Sequence, residues 1–163
     1  MAKAGGWRCS AESGQNPLRP WIPLAALALA LAPLGVVRPV RVSGHSMEPA
    51  LADGVLHWSW RAWVVPAPRR GEVWLVKGPQ GASVKRVLGL PGEQVRWEGG
   101  DLWINNRRLD EPWVAHPERN GSGQKACGDG YLVLGDNRPA SQDGRSWGPL
   151  PAEAMIGRLL VGP

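Results

Sequence analysis

Residues 72–88 read EVWLVKGPQGASVKRVL. Glu72–Lys77 and Ser83–Leu88 are short runs rich in β-branched and aromatic residues, and Gly78–Gly81 between them holds a proline and two glycines. That composition predicts two strands joined by a turn. Alternation on the second run places Ser83, Lys85 and Val87 on one face and Val84, Arg86 and Leu88 on the other, and either face can be the inner one. Lys85 is singled out among four lysines. Lys3 and Lys125 sit in polar, glycine-rich context, and Lys77 ends its run beside Gly78-Pro79. Only Lys85 has strand on both sides.

The pattern continues outward in both directions. Val55–Val65 reads as a strand with Trp58 and Trp60 on one face. Pro66–Gly71 is a loop. Gln94–Trp97 is a further strand. Asp101–Leu109 reads as a hairpin whose Asn105-Asn106 turn tolerates positive φ. Asp129-Gly130 turns into an apolar strand, Tyr131–Leu134, and Pro151–Ala154 carries a single helical turn. With 22 glycines and 16 prolines in 163 residues, the expected fold is mostly β, a compact antiparallel domain over 40–163.

The N-terminal part differs. Residues 1–20 have no apolar period and read as a flexible tail. Residues 21–37, WIPLAALALALAPLGVV, carry no charge. Seventeen such residues are slightly short of the about twenty that a spanning helix needs. A cleaved signal peptide, a retained transmembrane anchor and a buried helix compete for this stretch. Apolar residues on all sides argue against the buried helix, and hydropathy alone leaves the cleaved signal peptide and the retained anchor both open. Arg19 precedes the stretch, and Arg38 and Arg41 follow. Lys and Arg counts of three before and two after weakly favour a cytoplasmic N-terminus.

The net charge of +5 suits either nucleic acid or anionic lipid. No helix-turn-helix, zinc-finger or RNA-binding signature is visible, so lipid is the expected partner and nucleic acid is not. Ten tryptophans and no phenylalanine fit a membrane boundary, or a core in which Trp replaces Phe. Cys9 and Cys127 make no disulfide framework.

Ser43-Gly44-His45-Ser46-Met47-Glu48-Pro49 places a serine in a glycine-flanked turn. Serine is a weak nucleophile until a base stands within hydrogen-bond reach. Lysine is no base near neutrality, since its ordinary pKa is ~10.4, but desolvation lowers that value. A buried Lys85 beside Ser46 would therefore make a nucleophile, as Ser-Lys pairs replace Ser-His-Asp elsewhere. His45, His57 and His116 are scattered and match no metal spacing.

Four blocks occur in order behind the apolar stretch: SGHSMEPAL, RGEVWLVK, KRVLGLPGEQV and LGDNRPASQDGRSWGPLP. Together, from Val42 to about Gly157, they resemble the type I signal peptidases, membrane-bound Ser-Lys proteases, in a short single-anchor form. The resemblance implies Ser46 as nucleophile and Lys85 as general base. It implies that Ser141 orients the lysine amine and that Asp143 and Arg145 form a supporting ion pair. Met47 matches the methionine after the nucleophile, and Gly135, Asp136, Asn137 and Arg138 match a strand-to-loop turn. Gly44 stands where some members carry a serine that helps the oxyanion, so backbone N–H groups, chiefly that of Ser46, would carry that task. Gly144 stands where many members carry a small polar residue; little effect is expected, beyond one fewer partner for Asp143.

The implied activity is removal of signal peptides from exported preproteins by cleavage after small residues, of Ala-X-Ala type, through an acyl-enzyme. The implied protein is a monomer with no cofactor and no metal. It would sit in the cell or thylakoid membrane with its catalytic domain on the extracytoplasmic side. A specialised processing peptidase of a conjugation or secretion system is the alternative within the same chemistry. A non-enzymatic, membrane-tethered β-domain is the alternative outside it.

Overall fold

A computed structural model describes residues 35–118 and 121–161. The expected tail and all but the last three residues of the expected anchor lie outside the described residues. Val37, the last residue of that stretch, opens the first strand. No helix among the described residues is long and apolar enough to cross a membrane.

Among the described residues ten strands form two antiparallel sheets: β1 (Val37–Arg41), β2 (Leu56–Arg61), β3 (Val73–Gly78), β4 (Gly81–Gly89), β5 (Gln94–Glu98), β6 (Asp101–Ile104), β7 (Arg107–Leu109), β8 (Ser122–Ala126), β9 (Leu132–Leu134) and β10 (Met155–Leu159). The larger sheet runs β1-β2-β10-β3-β4-β9 and the smaller β7-β6-β5-β8. The mostly β, antiparallel class is thus as expected. The expected strand over Val55–Val65 is shorter, because Ala62–Val64 winds into a 3-10 turn. β1, β8 and β10 were not expected. β8 (SGQKA) has no apolar alternation and exists through its full pairing with β5.

The β3–β4 hairpin closes with Gly78 opposite Gly81 and sets Trp74 opposite Lys85. The second hairpin turns at Asn105 and Asn106 with φ of 48° and 67°, as their tolerance of the left-handed region predicts. Both faces of β4 are covered. Lys85 and Val87 are buried on one side, and Val84 and Leu88 on the other.

Two of the strand edges left without a partner strand among the described residues face one another across a cleft. β1 pairs only with β2, and β4 pairs with β9 only from Arg86 onward. The edges of β1 and of Ala82–Val84 line this cleft of about 350 Å³, which Ser46 and Met47 also line. Under it lies a core of Val42, Met47, Leu51, Val73, Leu75, Val84 and Leu159.

Candidate active site

Ser46 sits in the turn that follows β1. Met47, 1% exposed, and Leu51, 1% exposed, drive into the core on either side of that turn and fix where the serine points. The N–H of Leu51 donates to the Met47 carbonyl at 2.9 Å. Gly44 has a φ of 92°, a region that disfavours any side chain, so glycine here is conformational in purpose. Its N–H donates to Asp53 Oδ1 at 2.8 Å and is committed to that contact. Among the described residues the N–H of Ser46 has no acceptor.

Lys85 comes from the middle of β4, and its Nζ lies 2.8 Å from Ser46 Oγ. The residue is only 3% exposed. Burial pushes the amine below the ordinary lysine value, Asp143 resists, Arg145 adds to the depression and Asp136 resists. Desolvation disfavours the ammonium and so favours the neutral form that accepts a proton. A hydroxyl and a depressed lysine in hydrogen-bond contact at the end of a cleft can do nucleophilic chemistry on a chain lying in that cleft.

The segment after β9 holds this turn in place. Asn137 donates its main-chain N–H to the Ser46 carbonyl at 3.0 Å and its side-chain Nδ2 to the His45 carbonyl at 3.1 Å. Gly135 passes so close that a Cβ there would fall 2.3 Å from Ser141 Oγ and 2.5 Å from the Ser46 carbonyl oxygen. Only a glycine allows that approach.

Asp143 is fully buried and fully engaged. It accepts from the Gly135 N–H at 3.0 Å, Ser141 Oγ at 2.7 Å, the Arg145 N–H at 3.2 Å and the Arg145 guanidinium at 2.9 and 3.0 Å. The expected ion pair with Arg145 is therefore present. The glycine at 144 has the little effect expected of it, since Asp143 is fully engaged without a side chain there, and a Cβ would meet Leu132 at 2.8 Å. The Ser141 expectation changes. Its hydroxyl donates to the Asp143 carboxylate, and no hydrogen bond joins it to Lys85 among the described residues. A buried carboxylate is the stronger acceptor for that proton.

Several contributors have no local sequence signal. Asp136 takes both ends of the Arg86 guanidinium at 2.8 and 2.6 Å, and Arg86 stacks on Trp113 at 4.7 Å. Arg138 donates to the Gly135 carbonyl at 3.1 Å and pairs with Glu111, both nearly buried. Arg145 also pairs with Glu118. The loop carrying Glu111, Trp113 and Glu118 thus grips the Gly135–Arg145 segment twice, through Arg138 and Arg145, and touches β4 once, through Arg86. Only the proximity of Pro112 and Pro117 marks it as a loop in sequence.

The histidines take no part in this cluster. His45 is exposed and pairs with Glu48 at 2.9 Å, which raises its pKa. Cys127 is a buried free thiol. Among the described residues no group of three or more His, Cys, Asp or Glu side chains is placed to hold a metal.

Comparison with known proteins gives one answer throughout. A family model described as signal peptidase, peptidase S26, matches residues 18–161. A probable signal peptidase I-2 of Synechocystis is 36% identical over 130 residues, covering 74% of this chain and 60% of that protein. A signal peptidase I of Leptolyngbya laminosa is 43% identical over 81 residues, 49% of this chain and 40% of its own length. A signal peptidase I of Bacillus licheniformis is 32% identical over 149 residues, 81% of this chain and 80% of that one. The chain thus spans less than two thirds of the first two relatives and most of the third. A crystal structure of a signal peptidase I from Enterococcus faecalis superposes with a TM-score of 0.52 at 28% identity, covering 59% of this chain and 99% of that one.

Proposed function

Since this chain belongs to the signal peptidase family, peptidase S26, we propose that it is a membrane-bound serine endopeptidase that removes signal peptides from exported preproteins. The observation that carries this reading is the 2.8 Å contact between the buried Lys85 Nζ and Ser46 Oγ beside an open cleft. Neutral Lys85 takes the Ser46 proton, and Oγ attacks the carbonyl of the small residue that precedes the scissile bond. The developing oxyanion is met by the N–H of Ser46, which has no acceptor among the described residues. The amine leaves with the proton held on Lys85. Water then hydrolyses the ester, with Lys85 again as base. Asp143, Arg145 and Ser141 hold the segment that clamps the Ser46 turn.

The substrate lies extended in the cleft, adding a strand between the free edges of β1 and β4. Val40, Val42 and Val84 give that strand shallow apolar contacts that suit small residues. Nucleophile, base and cleft come from one chain, which fits action as a monomer without cofactor.

Location at a membrane rests on the apolar residues 21–37 and on an exposed apolar patch. Leu56, Trp58, Trp63 and Leu160 are 56%, 51%, 71% and 46% exposed. The Leu160 N–H bonds to the Trp58 carbonyl at 2.8 Å, which sets two of them side by side. Exposed tryptophans next to arginines suit the headgroup region of a bilayer, with the site on the extracytoplasmic side.

The test is cleavage of a panel of exported precursors by the wild type, Ser46→Ala and Lys85→Ala. Wild-type cleavage after Ala-X-Ala, lost in both variants, is the expected result. Full activity in either variant overturns the assignment. Cleavage of one dedicated precursor alone points to a specialised processing peptidase.

A further inference from the structure

One end of the cleft carries a cation, Arg38, for which the described residues supply no acidic partner. Along β1 the alternation places Arg38 on the same side as Val40 and Val42. Val42 is 3% exposed and packs in the core with Met47 and Val84, at the Ser46 end. Val40 packs against the same cluster, and Arg38 lines the cleft beyond it. Arg41 lines it too, and among the described residues no Asp or Glu does.

Arg38 Nε is shut off from solvent and has no hydrogen-bond partner among the described residues. The charged neighbour that acts on it is Arg61, another cation, and burial together with Arg61 lowers its pKa. A buried donor without an acceptor is costly, and it becomes favourable when a ligand supplies one. A guanidinium best satisfies a carboxylate, through two parallel bonds.

Resting on the peptidase reading above, we propose that Arg38 is a specificity-determining subsite that takes a carboxylate on the fifth residue before the scissile bond. Side chains on one face of a strand repeat every ~7 Å, and an extended peptide alongside keeps the same step. Its first and third residues therefore meet Val42 and Val40, and its fifth meets Arg38. Arg38 lines the cleft, so a chain lying there comes alongside its guanidinium.

The test uses the full chain in detergent micelles and a peptide series with Ala at the first and third positions before the bond. The fifth position carries Glu, Gln, Ala or Lys. In the wild type, kcat/KM for Glu should exceed that for Lys about tenfold, a ratio set by about 1.4 kcal/mol, and the difference should lie in KM. Arg38→Gln should flatten the series, and Arg38→Glu should invert it in favour of Lys. A flat wild-type series overturns the subsite, and so does a Glu preference that survives Arg38→Gln. Loss of the wild-type preference on adding phosphatidylglycerol vesicles assigns Arg38 to lipid and also overturns it. If the wild type cuts none of the peptides, the peptidase reading itself fails. If it cuts all of them equally, only the subsite does.

Discussion

Asn137 and Ser46 lie ninety-one residues apart, yet the Asn137 N–H donates to the Ser46 carbonyl at 3.0 Å and its side chain donates to the carbonyl of His45 at 3.1 Å. The turn bearing the proposed nucleophile is thus tied from behind by a segment from the far end of the domain. Asn137→Ala removes the side-chain bond and leaves the main-chain one. A neutral hydrogen bond is worth about 0.5–1.5 kcal/mol, so kcat should fall by up to about tenfold with little change in KM. Steady-state cleavage of a model preprotein measures this, and an unchanged kcat would mean the side-chain tie is dispensable.

Gly135→Ala tests the closeness of the same contact. The new Cβ would have to displace Ser141 Oγ from 2.3 Å and the Ser46 carbonyl from 2.5 Å. Overpacking of this kind costs about 1–3 kcal/mol. The variant should melt lower than the wild type and lose most of its activity. Thermal denaturation and a cleavage assay on the same sample check both.

Lys85 should be a liability to stability. Its folded-state pKa lies below the ordinary lysine value of 10.5, chiefly through burial. Between the two values the unfolded chain holds more protons than the folded one, so stability rises with pH there. Below the folded value the wild type carries the whole penalty, and each tenfold change in proton affinity is worth ~1.4 kcal/mol. Lys85→Met should therefore be inactive yet melt higher than the wild type at neutral pH, with the gap closing as pH nears 10.5. Wild-type cleavage should rise with pH and level off once Lys85 is neutral. Melting curves across pH decide this, and a variant that melts lower at neutral pH would refute it.

Glu111 pairs with Arg138 behind Gly135, with side chains 8% and 4% exposed. Burial raises the pKa of Glu111, against the pull of Arg138. Removing one partner from a buried pair typically costs about 3–5 kcal/mol, because the other charge is stranded. Glu111→Ala should show a loss of that size in urea denaturation. The double variant Glu111→Leu with Arg138→Met should recover most of it.

His45→Ala separates the lysine mechanism from a histidine one. The imidazole is exposed and turned to Glu48, and no hydrogen bond joins it to Ser46 among the described residues. Cleavage should stay within about twofold of the wild type, since exposed side chains away from such networks contribute little. A loss of a hundredfold would place His45 in the chemistry.

Much of this was legible before any coordinates. Val84-Lys85-Arg86-Val87 reads as strand because apolar residues bracket the lysine, and the hairpin at Asn105-Asn106 follows from two residues that accept positive φ. These are properties of neighbours along the chain. β8 was not legible, because Ser122–Ala126 is polar and becomes a strand only against β5. The Arg138–Glu111 and Arg145–Glu118 pairs were not legible either, as each spans twenty-seven residues of intervening chain.

By itself, then, the sequence determined the antiparallel β class, the two strands around Lys85 and the order of the four blocks. Local periodicity and turn chemistry act over a few residues and leave their mark there. Only the tertiary structure decided that Lys85 Nζ reaches Ser46 Oγ from thirty-nine residues away, and that both faces of β4 are covered. It alone decided that the Ser141 proton goes to Asp143, and that the Gly44 N–H is spent on Asp53. Each of those outcomes is a competition among donors, acceptors and burial that is settled when distant segments pack together, and no local pattern encodes the winner.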